Sequence, residues 1–375
     1  MLGRLLGLLD KPETGREGKV NIYHHLCLNI RSGKNLCRAC EEACPVKALQ
    51  LEGTVIKIDH CVSCGLCAVA CPTGVLDELW PALGKVLTVS KDPRPRLWIT
   101  CQQAPDVRDA LRINCLGELT PELVLFLLKR NIGSISVLYN PAACEQCDLR
   151  SGQGNWHKAL HQLSVIYPPE SGRFEVQQEV PGPVKNERTT VDFSRRTLLR
   201  SFSGEAQQMA VQFLLGEKNN PDQPRLAQGL STRRKLFIHV LSQLRPEQAE
   251  TLEPGYLRHP EITQECTWCG SCSTLCPSGA LRMEGLEDGS KSLTINPVEC
   301  NLCALCASIC PISAITVDWE AGNDGPAQRQ ILLKGQKVTC HQCQSVFWTA
   351  AEHPEPLCPE CSYRHSKPKI TWHEI

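Results

Sequence analysis

The sequence of 375 residues is poor in aromatic side chains, which make up 5% of it, and its 40 basic and 40 acidic residues leave no formal net charge. A neutral chain gives no electrostatic reason to expect nucleic acid or an acidic membrane surface as a partner. No apolar run approaches the roughly 20 residues of a membrane-spanning helix. The first residues include Arg4 and no small-residue cleavage site, so they do not resemble a secretory signal. We therefore expect a cytoplasmic protein without a membrane span.

The motifs of common catalytic folds are also missing. No G-x-G-x-x-G segment follows a strand and opens a helix, which argues against a nicotinamide or flavin fold. The sequence has no P-loop, no G-x-S-x-G nucleophile motif and no H-E-x-x-H motif. The histidines His157, His161, His239 and His259 have no acid or nucleophile at motif spacing. We predict no catalytic residues.

Cysteine, in contrast, is abundant, with 24 residues. The pattern C-x2-C-x2-C-x3-C-P occurs twice between Cys266 and Cys310, as in bacterial ferredoxins, and each copy ends in a proline. Three closely spaced cysteines wrap one [4Fe–4S] cluster, and the fourth ligates the neighbouring cluster. A disulfide framework needs no such triplets, and zinc sites have pairs with longer gaps. The predicted ligand sets are Cys266, Cys269, Cys272 and Cys310 for one cluster, and Cys300, Cys303, Cys306 and Cys276 for the other.

A second, less regular copy of this arrangement lies near the start of the chain. One of its motifs is complete, but the other has Lys34 where the first cysteine should stand. Cys27 lies seven residues earlier and could supply the missing ligand. His24 or His25 in its place, or a [3Fe–4S] cluster, are the alternatives. The predicted ligand sets are Cys27, Cys37, Cys40 and Cys71 for one cluster, and Cys61, Cys64, Cys67 and Cys44 for the other.

Between the two copies, short apolar segments alternate with helical patterns. Strands are expected at 97–100, 112–115 and 134–139, and helices at 105–111, from Thr120 to Gly133, and after Cys147 through about His161. Thr120 and Pro121 suit a helix start. This alternation predicts a small parallel α/β domain. Its four cysteines follow strand ends, which is where the ligands of parallel sheets bind.

The same segment resembles the delta subunit of methyl-viologen-reducing hydrogenase over about residues 95 to 160. The resemblance rests on Arg112-x-x-Cys115-x-Gly117, on Pro121-Glu122-x-Val124-Leu125, on Gly133 and Val137, and on Cys144-x-x-Cys147 before Gly152 and Gly154-Asn155. This chain lacks that family's cysteine-rich start and has a shorter gap in the last cysteine pair. The resemblance implies a [2Fe–2S] cluster on Cys101, Cys115, Cys144 and Cys147, and electron transfer toward heterodisulfide reductase. A zinc site or four unrelated core cysteines are the alternatives.

Residues 162 to 255 contain no cysteine. Two helices are expected there, from Ser194 through Leu215 and from Thr232 to Leu244, and they could clamp the modules together or face a partner. The basic run Arg233, Arg234 and Lys235 is most simply a solvated face, with a docking patch for an acidic partner as the alternative.

The tail carries two more cysteine pairs. Cys340, Cys343, Cys358 and Cys361 have the C-x2-C-x14-C-x2-C spacing of a zinc ribbon, with a hairpin expected around 338–348. A rubredoxin-like mononuclear iron site is the alternative. Four thiolates leave no open position for water, so a structural role is expected.

Together these patterns predict an α+β multidomain protein. The expected domains are a dicluster ferredoxin unit at 1–90, an α/β cluster domain at 91–166, a helical linker at 167–255, a second dicluster unit at 256–330 and a zinc-ribbon-like tail at 331–375. Four [4Fe–4S] clusters, one [2Fe–2S] cluster and one zinc would account for all 24 cysteines.

Such a chain is expected to carry single electrons within a cytoplasmic complex of anaerobic metabolism. The expected partners are a catalytic subunit, namely a hydrogenase, a molybdenum or tungsten enzyme or a flavin subunit, and an electron acceptor such as a ferredoxin. A redox-sensing regulator whose zinc ribbon contacts nucleic acid, and a self-sufficient reductase, are the alternatives. The missing basic patch argues against the regulator, and a reductase would require a flavin or an open iron site.

Overall fold

The computed structural model describes residues 22–53, 55–77, 80–91, 93–104, 107, 109–130, 132–178, 229–244, 256–317, 328–350 and 355–366. The chain forms two compact units, Met1–Glu253 and Pro254–Ile375, and each is considered by itself. The helix expected between Ser194 and Leu215 lies outside the described residues. Of the helices in the described ranges, none combines the length and the apolar character that crossing a bilayer requires.

The first unit begins with a small cysteine-rich region around one hairpin. The alternating residues 55–58 are typical of a strand, and strands β1 (Leu49–Glu52) and β2 (Val55–Ile58) do pair here in antiparallel fashion. Three short helices accompany the hairpin: α1 (Leu28–Ser32), α2 (Ala39–Glu42) and α3 (Leu66–Ala70). The chain takes left-handed backbone conformations at Ser63 and Gly65, which fold the loop between the cysteines back on itself.

A four-stranded sheet follows in the same unit. Its strand order is β4–β3–β5–β6, and every neighbouring pair is parallel. The strands are β3 (Arg94–Cys101), β4 (Leu111–Ile113), β5 (Ile132–Leu138) and β6 (Phe174–Gln177). The accompanying helices are α4 (Pro81–Val89), α5 (Pro121–Lys129), α6 (Pro141–Glu145) and α7 (Gln153–Ile166). Strand β6 and helix α4 are additions to the predicted elements. Helix α5 is buried from Pro121 to Leu128 and forms the centre of the core.

Two local predictions in this domain differ from the structure. Leu111, expected at the end of a helix, lies in β4 and pairs with Ile99 of β3. Its side chain is buried, so pairing within the sheet overrides the local helical pattern. Residues 105, 106 and 108 of that expected helix lie outside the described residues. Thr120 occupies the N-cap position of α5 with Pro121 behind it, but its side chain makes no capping hydrogen bond.

Helix α8 (Thr232–Leu241) lies against this domain and against the cysteine-rich region. Ser231 caps it by accepting a hydrogen bond from the backbone N–H of Arg234 (3.2 Å). The prediction of a solvated basic face is wrong for two residues. Arg233 pairs with the buried carboxylate of Glu122 (3.1 Å) and donates to the carbonyl of Val69 (3.0 Å). The Arg234 side chain is buried, with its guanidinium 4.6 Å from the centroid of the Phe237 ring.

The second unit is built on a four-stranded antiparallel sheet in the order β12–β11–β9–β8. The turn residues 287–290 between two apolar segments predict a hairpin, and strands β8 (Leu281–Gly285) and β9 (Lys291–Ile295) form it. Strand β11 (Gln330–Thr339) pairs with β9 through a bulge at 331–333 and then with β12 (Val346–Thr349), so the tail shares one sheet with the cysteine-rich part. The remaining elements are β7 (Glu261–Ile262), β10 (Ile315–Thr316), α9 (Ser271–Leu275), α10 (Leu305–Ser308) and α11 (Pro359–Ser366).

Candidate iron–sulfur and metal centres

The first predicted cluster site lies where the sequence pattern is irregular. One cavity is lined by Cys27, Cys37, Cys40 and Cys71, which is the predicted ligand set. The buried Asn29 holds the segment that departs from the motif: its Oδ1 accepts the N–H groups of Leu36 and Cys37 (both 2.8 Å), and its Nδ2 donates to the carbonyl of Cys37 (2.9 Å). This bracing brings Cys27 to the cavity although it lies outside the usual spacing.

A second cavity is lined by Cys44, Cys61, Cys64 and Cys67, the other predicted set. The last cysteine of each motif therefore faces the cavity of the other motif, as the ferredoxin pattern requires. Backbone N–H groups point at the thiols: that of Ala48 lies 3.2 Å from Cys44 Sγ and that of Ser63 3.4 Å from Cys61 Sγ. Such hydrogen bonds to sulfur are among the contacts that set a cluster's potential.

Burial favours the protonated thiols of Cys40 and Cys67 when no cluster is bound. It raises the pKa of Cys40 to about 12, and the neighbouring thiols of Cys71, Cys37 and Cys27 add to the shift. The pKa of Cys67 is raised further, again first by burial and then by Cys64 and Cys61. Iron must displace these protons because only thiolates bind it, so cluster insertion releases protons.

A third cavity lies at the carboxyl ends of the parallel strands. It is lined by all four cysteines that the resemblance pointed to, Cys101, Cys115, Cys144 and Cys147. Cys115 precedes the short 3-10 turn Leu116–Glu118, and its sulfur accepts the N–H of Gly117 (3.3 Å). The sulfur of Cys147 likewise accepts the N–H of Leu149 (3.3 Å). The structure therefore brings together two cysteine pairs that are separated by a helix and a strand.

Two observations test whether this cavity fits a sulfide-containing cluster. The indole N–H of the buried Trp156, which lines the cavity, has no hydrogen-bond partner among the described residues. A cluster sulfide is an acceptor of the kind that this donor lacks. The backbone of Gly152 passes close to the sulfur of Cys115, and a Cβ at this position would lie only 2.5 Å from that sulfur. Four thiols, an unpaired donor and this glycine all fit a [2Fe–2S] group held by the protein.

Glu118 is a fully buried carboxylate beside Cys115 that the cysteine spacing did not reveal. Its carboxylate oxygens accept the backbone N–H groups of Ala82 (2.9 Å), Asn114 (3.1 Å) and Cys115 (3.3 Å). Burial raises the pKa of Glu118 to about 7, against the lowering effect of these hydrogen bonds. No hydrophobic periodicity marks Glu118, which ends the 3-10 turn, and of these three N–H groups only that of Ala82 comes from another helix.

In the second unit, the predicted crossed sets also come together. Burial raises the pKa of Cys266, and the nearby thiols of Cys269 and Cys310 raise it further. Burial likewise raises the pKa of Cys306, followed by the effects of Cys300, Cys303 and Cys276. Cys272 belongs with the first of these groups, because Cys266 and Cys269 contribute to its raised pKa of about 12. Cys310 and Cys276 thus stand beside the other motif's cysteines, as in the first unit.

The tail cysteines form a different kind of site. The sulfurs of Cys340, Cys343, Cys358 and Cys361 all lie within 4.8 Å of one another, and those of Cys343 and Cys358 are 3.7 Å apart. Four thiolates around one zinc at about 2.3 Å would be spaced by about 3.8 Å. In the described part of the chain, no other group of three or more candidate ligand atoms is packed so closely. The spacing fits a single ion and leaves no room for a multi-iron cluster.

Hydrogen bonds prepare the tail site for a cation. The backbone N–H of Cys358 donates to Cys340 Sγ (3.3 Å). Hydrogen bonds from the backbone, that of Cys343 first, lower the pKa of Cys340. A lowered pKa favours the thiolate, which is the form of cysteine that binds a metal.

Comparison with known proteins gives the same two cysteine-rich regions. Residues 35–75 and 265–314 match the 4Fe-4S dicluster domain family, and the first match begins after Cys27. Pyruvate synthase subunit PorD of Thermotoga maritima is 35% identical over 75 residues, which are 19% of this chain and 76% of PorD. An uncharacterized ferredoxin of Methanocaldococcus jannaschii is 44% identical over 39 residues, 10% of this chain and 26% of that protein. No solved structure matches the chain.

The matches and the geometry agree on the chemistry of the two regions. Each matched region carries a dicluster pattern, so the pair indicates about four [4Fe–4S] clusters. Clusters of this kind transfer single electrons. The chain belongs to the family of ferredoxin-like iron–sulfur proteins with 4Fe-4S dicluster domains and is similar to a pyruvate synthase subunit.

Proposed function

We propose that this chain is the electron-wiring subunit of a larger oxidoreductase complex, carrying electrons between a catalytic subunit and an acceptor. The observation that carries the proposal is the convergence of Cys101, Cys115, Cys144 and Cys147 on one cavity in the same compact unit as a dicluster region. A freely diffusing ferredoxin functions with its dicluster domain alone and needs no further cluster domain. An added cluster domain in the same unit suits a fixed relay between two partners.

The ligand chemistry supports a role in relay, without catalysis by this chain. A cubane held by four thiolates has no open coordination position, so it exchanges electrons without binding substrate. The cavities at the two predicted cubane sites of the first unit are lined mainly by cysteines and apolar side chains such as Leu49, Ile58, Leu28 and Ile56. Catalysis therefore falls to a partner subunit.

The α/β cavity is proposed to hold a [2Fe–2S] cluster. The four thiols, the unpaired Trp156 N–H and the space left by Gly152 support this assignment over zinc. A cluster would add bridging sulfides as acceptors near the Trp156 donor, whereas a zinc site would offer only the thiolates that both kinds of site share.

The tail is proposed to hold one zinc ion with a structural role. The mutual spacing of its four sulfurs supports a single tetrahedral ion. Mononuclear iron has the same ligand requirements, so metal analysis decides between the two. Strand β11 pairs with β9 and with β12. A metal ion in the tail would therefore stabilise the β11–β12 hairpin beside the cluster loops.

The partner is proposed to be a cytoplasmic redox enzyme of anaerobic metabolism. The resemblance of residues 95 to 160 to a hydrogenase delta subunit favours a hydrogenase or a flavin subunit of heterodisulfide-reductase type. The similarity to pyruvate synthase subunit PorD adds a pyruvate-oxidising enzyme to the molybdenum and tungsten enzymes already considered. All of these pass electrons one at a time to iron–sulfur clusters.

Metal analysis of the full chain, purified without oxygen, tests the proposal. We expect about sixteen irons in cubanes, about two more in the α/β domain and about one zinc per chain. Electron paramagnetic resonance (EPR) of the reduced protein would show both cluster types. Mass spectrometry of co-purifying chains would identify the catalytic partner. Iron well below about ten per chain, or a flavin bound to the isolated chain, would overturn the relay model.

A further inference from the structure

The loop of one predicted cubane site in the first unit touches the α/β cysteine site directly. Cys64 and Leu66, on either side of Gly65, form one buried apolar cluster with Cys115, and Leu149 packs against it. Cys64 lines the cavity with Cys44, Cys61 and Cys67, whereas Cys115 lines the α/β cavity. A ligand of each site therefore belongs to the same small cluster of side chains.

Glycines bring the two loops closer than side chains would permit. A Cβ on Gly117 would lie 2.8 Å from Leu66 Cδ2 and 2.6 Å from the carbonyl oxygen of Gly152. A Cβ on Gly152 would lie 2.5 Å from Cys115 Sγ and 3.0 Å from Leu66 Cδ2. The Leu66 side chain thus lies against the backbone at Gly117 and at Gly152, and only glycine fits at these two positions.

Polar groups fix the same contact. The side-chain amide of Asn114, next to Cys115, donates to the carbonyl of Ser63 in the cubane loop (2.7 Å). One carboxylate oxygen of Glu118, Oε1, accepts the N–H of Cys115. The other oxygen, Oε2, lies so close to the backbone of Gly65 that a Cβ on Gly65 would be only 2.5 Å from it. Packing and hydrogen bonds therefore hold the two loops at one separation.

We propose that Cys64, Leu66 and Cys115 form a direct electron junction between the Cys44–Cys61–Cys64–Cys67 site and the α/β site. This proposal rests on the proposed relay function and adds the order in which electrons pass between the sites of the first unit. An electron from the Cys27–Cys37–Cys40–Cys71 site would pass to the adjacent cubane and then across Leu66 to the α/β site. In the last step the cubane is oxidised by one electron and the [2Fe–2S] centre is reduced by one, with no proton or further reactant required.

Spin relaxation tests the junction in the full chain. A reduced [2Fe–2S] centre relaxes slowly, and a reduced cubane beside it accelerates that relaxation through magnetic dipolar coupling. We expect the microwave power that half-saturates the [2Fe–2S] signal of the wild-type protein to rise as the cubanes are reduced in a potential titration. The variant Cys44→Ser/Cys61→Ser removes the cubane at the junction but leaves Cys64, Leu66 and Cys115 in place. It should lose this acceleration.

The matched control is Cys37→Ser/Cys40→Ser, which removes the other cubane of the same unit. Each double variant should lose about four irons, but the control should keep the acceleration. Equal effects of the two variants, or wild-type relaxation that does not respond to cubane reduction, would overturn the junction. Absence of any [2Fe–2S] signal would also overturn the junction. If the iron content of the cubanes is complete in that case, the proposed relay function still holds. Iron missing from both kinds of site would instead reject the proposed function.

Discussion

The indole ring of Trp268 packs directly on the backbone of Gly335. Trp268 stands between Cys266 and Cys269 in a cluster loop, and Gly335 lies in β11, the strand that continues into the tail. A Cβ on Gly335 would collide with the Trp268 ring. This contact joins the strand that leads to the tail cysteines to the cluster loop, in addition to the pairing of β11 with β9.

Substitution of Gly335 should disturb both sites. We expect Gly335→Ala to cost about 1–3 kcal/mol through overpacking, because the rigid indole has to move. It should lower the apparent unfolding temperature of the holoprotein and release zinc more readily to a chelator. Gly285→Ala in strand β8 is the matched control, since its Cβ would meet no atom within 4 Å. Equal unfolding temperatures and equal rates of zinc release in the two variants would show that the contact of Trp268 with Gly335 does not stabilise the protein.

Cys27 should be required for a complete set of cubanes. Cys27→Ser removes a thiol that lines the cavity with Cys37, Cys40 and Cys71. The iron content should fall by about one atom if a [3Fe–4S] cluster remains, or by about four if the cluster is lost. His24→Ala and His25→Ala should keep the full iron content. A complete [4Fe–4S] complement in Cys27→Ser together with iron loss in a histidine variant would assign the ligand to histidine.

Gly152 should be required for the α/β centre alone. Gly152→Ala places a methyl group 2.5 Å from Cys115 Sγ, so either the ligand or the helix start must shift. We expect loss of about two irons and of the [2Fe–2S] signal, with the cubane signals retained. Gly154→Ala, two residues further on, meets no atom within 4 Å and should keep every cluster. A normal [2Fe–2S] spectrum in Gly152→Ala would contradict the close approach.

Helix α8 should be held less firmly in mild acid. Burial, and to a smaller extent the charge of Arg130, hold the pKa of His239 below its ordinary value. The unfolded chain therefore binds a proton at His239 at a higher pH than the folded chain does, so protonation favours unfolding. This contribution to stability is complete above about pH 6.5 and is lost as the pH falls through the folded pKa.

His239→Gln removes the titrating group from beside the Phe126 ring, whose centroid lies 5.8 Å from that of the imidazole. Between about pH 7.5 and pH 5.5, the wild-type unfolding temperature should fall more than that of His239→Gln. The exposed His161 provides the control, since His161→Gln should follow the wild type. A wild type and a His239→Gln variant with the same pH dependence would refute the effect.

Much of the chemistry could be predicted because cluster ligation is locally encoded. Three cysteines that wrap one cubane lie within a few residues of each other, so spacing alone identified both dicluster regions. The hairpin at 281–295 and the parallel pairing of β3 with β4 and β5 also agree with local patterns, namely a turn between apolar segments and strands separated by helices. The ligand assignments at the α/β and tail sites remain predictions that metal analysis will test.

The sequence by itself thus determined where the two dicluster regions lie, because ligand spacing is a property of short segments. The tertiary structure alone decided how the sites are held and which of them touch. Glu118, Gly152 and Arg233 gain their roles from contacts with residues far away in the chain, and no local periodicity records such contacts. The meeting of Leu66 with Cys115, and of Trp268 with Gly335, therefore emerged only once packing had brought separate loops together.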